Sequence, residues 1–327
     1  MADVLWLTEQ DVVALMDLKD AIGALEAALK LEAAGEALNM TKTLLQFGHN
    51  NLHAIGGKLG DVVGTKTWTH TAGGTSPIVL LWDANNGSLV AVIEAFALGN
   101  MRTGGISGVA ADWMAAPHVP VMGLIGTGRQ ALSQVGAMLA VRDITRLQVF
   151  SPKAESRATF ATKVRDEFGI EVAECDSAAA ACRGAGIVTL VTRASTAFLN
   201  AEMLERGAHL NAVGAIAPDR EEFTQDVFAR TTRVAVDNLQ GVQQLSREFM
   251  TRYDPAGWGS VRLISSLIAA GERRSAAEDL SLFKSMGMGI SDLALATELV
   301  RRAQTQGLGR ALPQPHKEKP RVSRRAP

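Results

Sequence analysis

The chain has 327 residues, with 33 Lys and Arg against 34 Asp and Glu for a formal charge of −1. That length gives a prior of two domains with sizeable cores, and a composition of 47% hydrophobic and 20% charged residues is that of an ordinary soluble globular protein. Residues 313–327 hold Lys317, Lys319, Arg321, Arg324 and Arg325 against Glu318, so the body lies near −5, which argues against nucleic-acid binding.

Four prolines accompany those charges, and 313–327 is expected to be a disordered basic tail. The N-terminus lacks a basic stretch followed by an apolar one, and no apolar run reaches the length of a membrane span, so a cytoplasmic protein is expected. Cys175 and Cys182 have no metal-type spacing, which fits a reducing compartment without a disulfide.

In chain order, Thr8 followed by Asp11 predicts a helix N-cap with an acidic third residue. A second helix is predicted over 19–36, with Ile22, Leu25, Leu29 and Ala33 on one face. Residues 39–98 read mainly as strands and turns. Within them, apolar runs at 78–82 and 89–93 flank Asn86-Gly87, a hairpin signal. A helix over about 100–114 follows, and Pro117 and Pro120 mark a boundary. Strands are then predicted at 121–125, 147–150, 170–173, 187–191, 209–213, 234–237 and 280–283, with helices at 128–140, 156–168 and, last, 291–304. This alternation predicts an α/β fold with a doubly wound parallel sheet, preceded by a separate unit of about 115 residues that carries the substrate groups.

The strand at 121–125 ends in Gly126-Thr127-Gly128-Arg129-Gln130-Ala131, and a helical pattern follows at once. That is how a chain turns beneath a dinucleotide diphosphate. Gly126 permits the tight turn, Gly128 has no Cβ to hold phosphates away, and Ala131 allows close helix–strand packing. The first N–H groups of the helix then face the anion. The crevice is expected at the carboxyl ends of the strands, where Thr192, Val213 and Gly214 lie. A carboxylate that would hold the ribose hydroxyls belongs at the end of the second strand. That end reads Phe150-Ser151-Pro152-Lys153, with Arg157 beyond it. Ser151, Lys153 and Arg157 suit a 2′-phosphate, so NADP(H) is preferred, with NAD(H) possible. The alternative for Lys153 and Arg157 is the solvated first turn of a helix.

Several stretches occur in a telling order: Gly64-Thr65-Lys66, Leu81-Trp82-Asp83, Met101-Arg102-Thr103, Gly123 to Gly128, Val213-Gly214-Ala215 with Pro218-Asp219 and Glu221, Leu282-Phe283-Lys284-Ser285 with Gly287, and Ile290-Ser291-Asp292. Together they resemble the ornithine cyclodeaminase/μ-crystallin family over about residues 8–305. The resemblance implies a Rossmann domain over 116–295 and an α/β substrate domain over 1–115, rejoined by a C-terminal helix at about 296–312. It also implies a homodimer through the substrate-domain sheet and hydride transfer at the nitrogen-bearing carbon of a small imino or amino acid. By the same match Arg102 takes the substrate carboxylate. Lys66 bonds the carboxylate or nitrogen and can deliver a proton. Asp292 sits near the nicotinamide, or is merely a helix cap with Ser291. The chemistry agrees, because reducing a 2-imino acid needs a cation for its carboxylate and a group that keeps its nitrogen protonated.

Departures from the family pattern narrow the reading. Members that deaminate ornithine carry an aspartate where this chain has Ile216, which argues against a cyclodeaminase that recycles its NAD internally. Lys42 stands near the place of a second family arginine, keeping the charge without the fork. Gly99, Gly104 and Gly105 replace larger residues and are expected to make the pocket roomier. His49 and His53 lie four apart in a strand-and-turn segment, so no metal site is expected. Trp68 and His70 follow Lys66 as pocket lining, with His70 also a candidate proton donor. The leading expectation is an NAD(P)H-dependent reductase of a small imine, or the reverse dehydrogenase. A non-catalytic, crystallin-like NADPH-binding protein is the further alternative. Ser151→Asp is expected to raise the preference for NADH over NADPH in a binding titration, and an unchanged preference would put the ribose elsewhere.

Overall fold

The computed structural model describes residues 3–322, which form two eight-stranded sheets. The second sheet is wholly parallel, in the order Glu171–Glu174, Arg146–Phe150, Val121–Ile125, Ile187–Leu190, His209–Ala212, Leu280–Lys284, Thr231–Val236 and Arg262–Leu263. The strand order reverses between Val121–Ile125 and Ile187–Leu190, the switch point at which such sheets bind nucleotides. Every residue of Ile187–Leu190, His209–Ala212 and Leu280–Lys284 is buried, as a parallel sheet covered on both faces requires. The expected doubly wound α/β architecture is present.

The first sheet runs Arg310–Leu312, Val4–Leu7, Leu89–Glu94, Ile78–Asp83, Val62–His70, Asn50–Leu59 and Ala37–Asn39, with Thr43–Phe47 also paired to Asn50–Leu59. Its pairings are antiparallel apart from Val4–Leu7 with Leu89–Glu94. The hairpin at Asn86-Gly87 forms as expected, with Gly87 at φ +72°. Val4–Leu7 and Arg310–Leu312 pair across the whole chain length, and sequence reading missed both because each is short. From Pro313 to Val322 the chain has no helix or strand, although Gln314 Nε2 donates to Leu89 O at 2.7 Å. Residues 323–327 of the expected tail lie outside the described residues.

Helix ends are set by caps that sequence shows only in part. Thr8 and Asp11 form a reciprocal capping box on Glu9–Leu15, as expected. The second helix is Leu18–Ala33; Ile22, Leu25 and Leu29 are buried, but Ala33 is exposed because the helix stops there. The arginine-bearing helix starts at Phe96, earlier than the expected 100, because the distant Glu9 carboxylate accepts from the backbone N–H groups of Phe96 and Ala97. The helix after the glycine turn starts at Ala131 rather than 128, since a tighter turn closes first, with Ala131 N–H donating to Gly128 O at 3.0 Å.

Two of the glycines expected to widen the pocket do something else. A Cβ at Gly104 would lie 2.5 Å from Ser133 O, and one at Gly105 would lie 2.7 Å from Leu25 Cδ1. Both glycines therefore let helix Phe96–Met114 approach Ala131–Leu139 and Leu18–Ala33 closely, and neither opens the cavity. Small residues at a helix crossing fix the interaxial distance, and that distance sets the height of Arg102. Gly104→Ala is expected to destabilise the protein by about 1–3 kcal/mol through overpacking, seen as a lower urea midpoint at unchanged m-value.

Candidate active site

Period-two alternation puts Gly64, Lys66, Trp68 and His70 on one face of strand Val62–His70. The closing helix Gly289–Gln306 packs on that face: a Cβ at Gly64 would lie 2.9 Å from Leu293 Cδ2. Asp292 is in the first turn of this helix, and Lys66 Nζ donates to its Oδ1 at 2.6 Å, with side-chain exposures of 5% and 1%. Arg102 Nε lies 3.4 Å from the same oxygen. The guanidinium makes no hydrogen bond among the described residues, and Asp292 Oδ2 is buried without one. Trp68 is ringed by cations, with Lys66 Nζ 5.0 Å and Lys42 Nζ 5.8 Å from its ring centroid, while His53 stacks on it at 4.7 Å. Burial draws the Lys66 ammonium down to about 8, and the Asp292 carboxylate opposes that fall.

Above the pair lies a cavity of about 590 Å³ between the two sheets. Lys42, Trp68, His70 and Arg102 line it from one side, and Gly128, Arg129, Gln130, Thr192, Val213, Gly214 and Ile216 from the other. Ile55, Thr103, Arg193 and the turn Ser285–Met286–Gly287 also line it and were not anticipated. Lys66 and Asp292 are not among the lining residues, and the pair meets the cavity wall at Arg102. Gly99 does lie at the site, since a Cβ there would sit 3.9 Å from Lys66 Nζ.

The glycine turn has the geometry a diphosphate needs. Gly126 adopts φ +111°, and a Cβ there would meet Val191 O at 2.8 Å; Thr127 is half-buried and Ala131 fully buried beneath the turn. A Cβ at Gly128 would meet no protein atom within 4 Å, so the space beside its backbone is open. Arg129 and Arg193 border that space without a carboxylate partner among the described residues. These groups fit a dinucleotide. Ser151, Lys153 and Arg157 stand apart from the cavity lining, at the end of strand Arg146–Phe150. Arg157 Nη1 donates to Ser151 O at 2.6 Å, its guanidinium lies 5.8 Å from the Phe150 ring centroid, and Lys153 is the exposed N-cap of Ala154–Phe168.

Buried carboxylates that sequence reading missed hold the cavity walls. Glu222 accepts from Thr192 N at 2.7 Å, Thr192 Oγ1 at 2.8 Å, Gly214 N at 2.9 Å and Ala215 N at 3.0 Å, which fastens two strand ends together. Lys284, also fully buried, donates to Ala215 O at 2.6 Å and lies 3.6 Å from Glu248. Burial raises the pKa of Glu222, and Lys284 and the hydrogen bonds from Thr192 and Ala215 oppose that rise. In sequence, Asp219-Arg220-Glu221-Glu222 reads as a charged surface turn, and nothing in it separates the buried glutamate from its exposed neighbours.

The fold and the cavity define a dinucleotide-binding α/β protein that presents a buried Lys–Asp pair beside an open arginine fork. Residues 3–307 match the model of the ornithine cyclodeaminase/mu-crystallin family, and the chain belongs to that family. It is 28% identical over 313 residues to a delta(1)-pyrroline-2-carboxylate reductase of Bacillus cereus, covering 90% of this chain and 95% of that one. Among solved structures it is similar to Thermococcus litoralis delta(1)-pyrroline-2-carboxylate reductase in complex with NADH and L-proline, at TM-score 0.87 and 24% identity over 94% of this chain and 100% of that chain. An archaeal alanine dehydrogenase dimer with bound NAD matches at TM-score 0.86 and 25% identity, over 95% and 99%.

Lys66 is charged below a pH of about 8 and neutral above it. Affinity for a small carboxylate anion is therefore expected to fall as pH rises through that value. Asp292→Asn removes the anion that raises the Lys66 pKa, so the fall should move to lower pH; calorimetric titrations of both proteins from about pH 6 to about pH 10 check the sign.

Proposed function

We propose that the protein is an NAD(P)H-dependent oxidoreductase that reduces a 2-imino acid to the amino acid, or runs the reverse dehydrogenation. The observation that carries this reading is the open Arg102 fork beside Lys66 and Asp292, in a cavity that extends to the glycine turn. Arg102 holds the substrate carboxylate, where a planar fork gains two parallel hydrogen bonds. Lys66, charged at neutral pH, donates to the imine nitrogen or the carboxylate, and Asp292 keeps it charged and oriented. A proton donated by Lys66 makes the imine carbon more electrophilic, and the adjacent Asp292 carboxylate offsets the positive charge. A reduced nicotinamide supplies the hydride when bound. Ile216 at the cavity wall offers no carboxylate for handling a side-chain amine, which favours reduction over cyclodeamination.

NADP(H) is the preferred cofactor in this reading, supported by Ser151, Lys153 and Arg157 at a strand end without a carboxylate, and by neither cation having an ion-pair partner among the described residues. The related structures carry NADH and NAD, so NAD(H) remains within the proposal. We read 1–115 with the closing helix Gly289–Gln306 as the substrate-binding unit and 116–288 as the nucleotide unit; the helix lies earlier than the expected 296–312, because Gly307 ends it in a left-handed cap and Arg310–Leu312 is a strand. Leu38, Leu45, Leu52 and Val63 are 39–63% exposed on the sheet face opposite Lys66, and such an apolar patch fits a homodimer interface. Among the described residues no helix is long and apolar enough to cross a membrane.

Purified protein is expected to consume NADPH with Δ1-pyrroline-2-carboxylate, or with pyruvate and ammonia, in a 340 nm assay. Ammonia release from ornithine with no net NADPH change would overturn the reading in favour of cyclodeamination. Tight NADPH binding without turnover on any imine would favour a binding protein.

A further inference from the structure

Among the described residues Arg102 makes one polar contact, the 3.4 Å approach to Asp292, so its packing neighbours set its direction. The side of Gly287 that would carry a Cβ faces the guanidinium, since a Cβ there would lie 3.1 Å from Arg102 Nη1, and the turn Ser285–Met286–Gly287 lines the same cavity as Arg102. Gly287 has φ +85°, a conformation other residues adopt only with strain. That turn follows strand Leu280–Lys284 and is gripped by the neighbouring parallel strand Thr231–Val236 through the next residue, Asp237. Asp237, 1% exposed, accepts Ser285 Oγ–H at 2.7 Å, Met286 N–H at 2.8 Å and Gly287 N–H at 2.9 Å. Asn238 Nδ2 donates to Gly287 O at 3.1 Å from the same loop.

We propose that Asp237 is a positioning residue for Arg102: through three hydrogen bonds it holds the Ser285–Gly287 turn that sets the direction of the guanidinium fork. Both its oxygens are used, Oδ1 by Met286 and Oδ2 by Ser285 and Gly287. An asparagine would therefore bring an N–H against at least one N–H or hydroxyl donor. Burial raises the pKa of Asp237, and the three donors, together with the nearby Arg102 charge, oppose that rise. The dinucleotide turn at Gly126–Ala131 makes no contact with this clamp in the hydrogen bonds described, so its affinity should be independent of Asp237.

The inference rests on the reading of Arg102 as the carboxylate grip, and the test separates the two. The probe is pyrrole-2-carboxylate, a planar unreactive acid, titrated by Trp fluorescence onto protein saturated with NADPH. Asp237→Asn should weaken its binding about tenfold, the effect of one lost buried acceptor, with NADPH affinity within about twofold. Ser285→Ala, which removes one donor and leaves the carboxylate, should weaken it about threefold and serves if Asp237→Asn does not fold. Arg102→Lys should also weaken it, and adding Asp237→Asn to Arg102→Lys should cause no further loss, because one acts through the other. Additive losses, or equal losses of NADPH and acid affinity, would overturn the positioning role and leave a general structural one. An Arg102→Lys protein that binds the acid as well as wild type, or wild type that does not bind it, would overturn the carboxylate reading itself.

Discussion

The contact on which the arrangement depends is the 2.6 Å pair between Lys66 and Asp292, residues 226 positions apart. Taking both charges out of water is expensive, and in an interior such a pair returns that cost only with good geometry and further hydrogen bonds. Here, among the described residues, one carboxylate oxygen lacks a hydrogen bond and the Arg102 guanidinium makes none. A pair assembled for stability alone would use those groups. Those are the groups that the proposed reading assigns to a substrate's carboxylate and nitrogen.

The elements around the pair set it beside Arg102, which lines one cavity with the glycine turn. The closing helix leaves the parallel sheet after the Ser285–Gly287 turn and lies on the first sheet, carrying Asp292 to Lys66. Glycines at 104 and 105 seat the arginine helix at the required depth. Buried carboxylates at 222 and 237 tie together the loops that follow strands Ile187–Leu190, His209–Ala212 and Leu280–Lys284. The carboxyl ends of parallel strands leave backbone N–H groups without ladder partners, and a carboxylate with four acceptor positions is the compact way to satisfy several at once. The cavity wall is thus made of backbone held by buried anions, with cations directed inward.

Sequence reasoning reached the layer order, the hairpin, the glycine turn and most strand positions, because each is a local pattern. It placed Lys42, Trp68, His70, Arg102, Gly128 and Ile216 among pocket candidates, and all of them line one cavity. It failed where the cause was remote. Helix Phe96–Met114 begins early because Glu9 caps it from the other end of the unit. Gly104 and Gly105 looked like pocket residues because sequence gives their size and not their neighbours. Glu222 carried no signal, since a carboxylate in a polar turn has the same letters whether buried or solvated, and Asp237 showed only as the polar end of a strand expected over 234–237.

What the sequence determined by itself is what nearest neighbours along the chain control: period-two and period-3.6 apolar patterns, positive-φ glycines, and caps within three residues. Those select a doubly wound sheet with a dinucleotide turn. Only the tertiary structure decided that Lys66, Arg102 and Asp292, drawn from a strand and two helices, share one buried oxygen contact. The reason is electrostatic as well as geometric. The Lys66 pKa, the free arginine fork and the orphan carboxylate oxygen are all properties of burial, and burial is created by elements that the chain brings together from hundreds of residues apart.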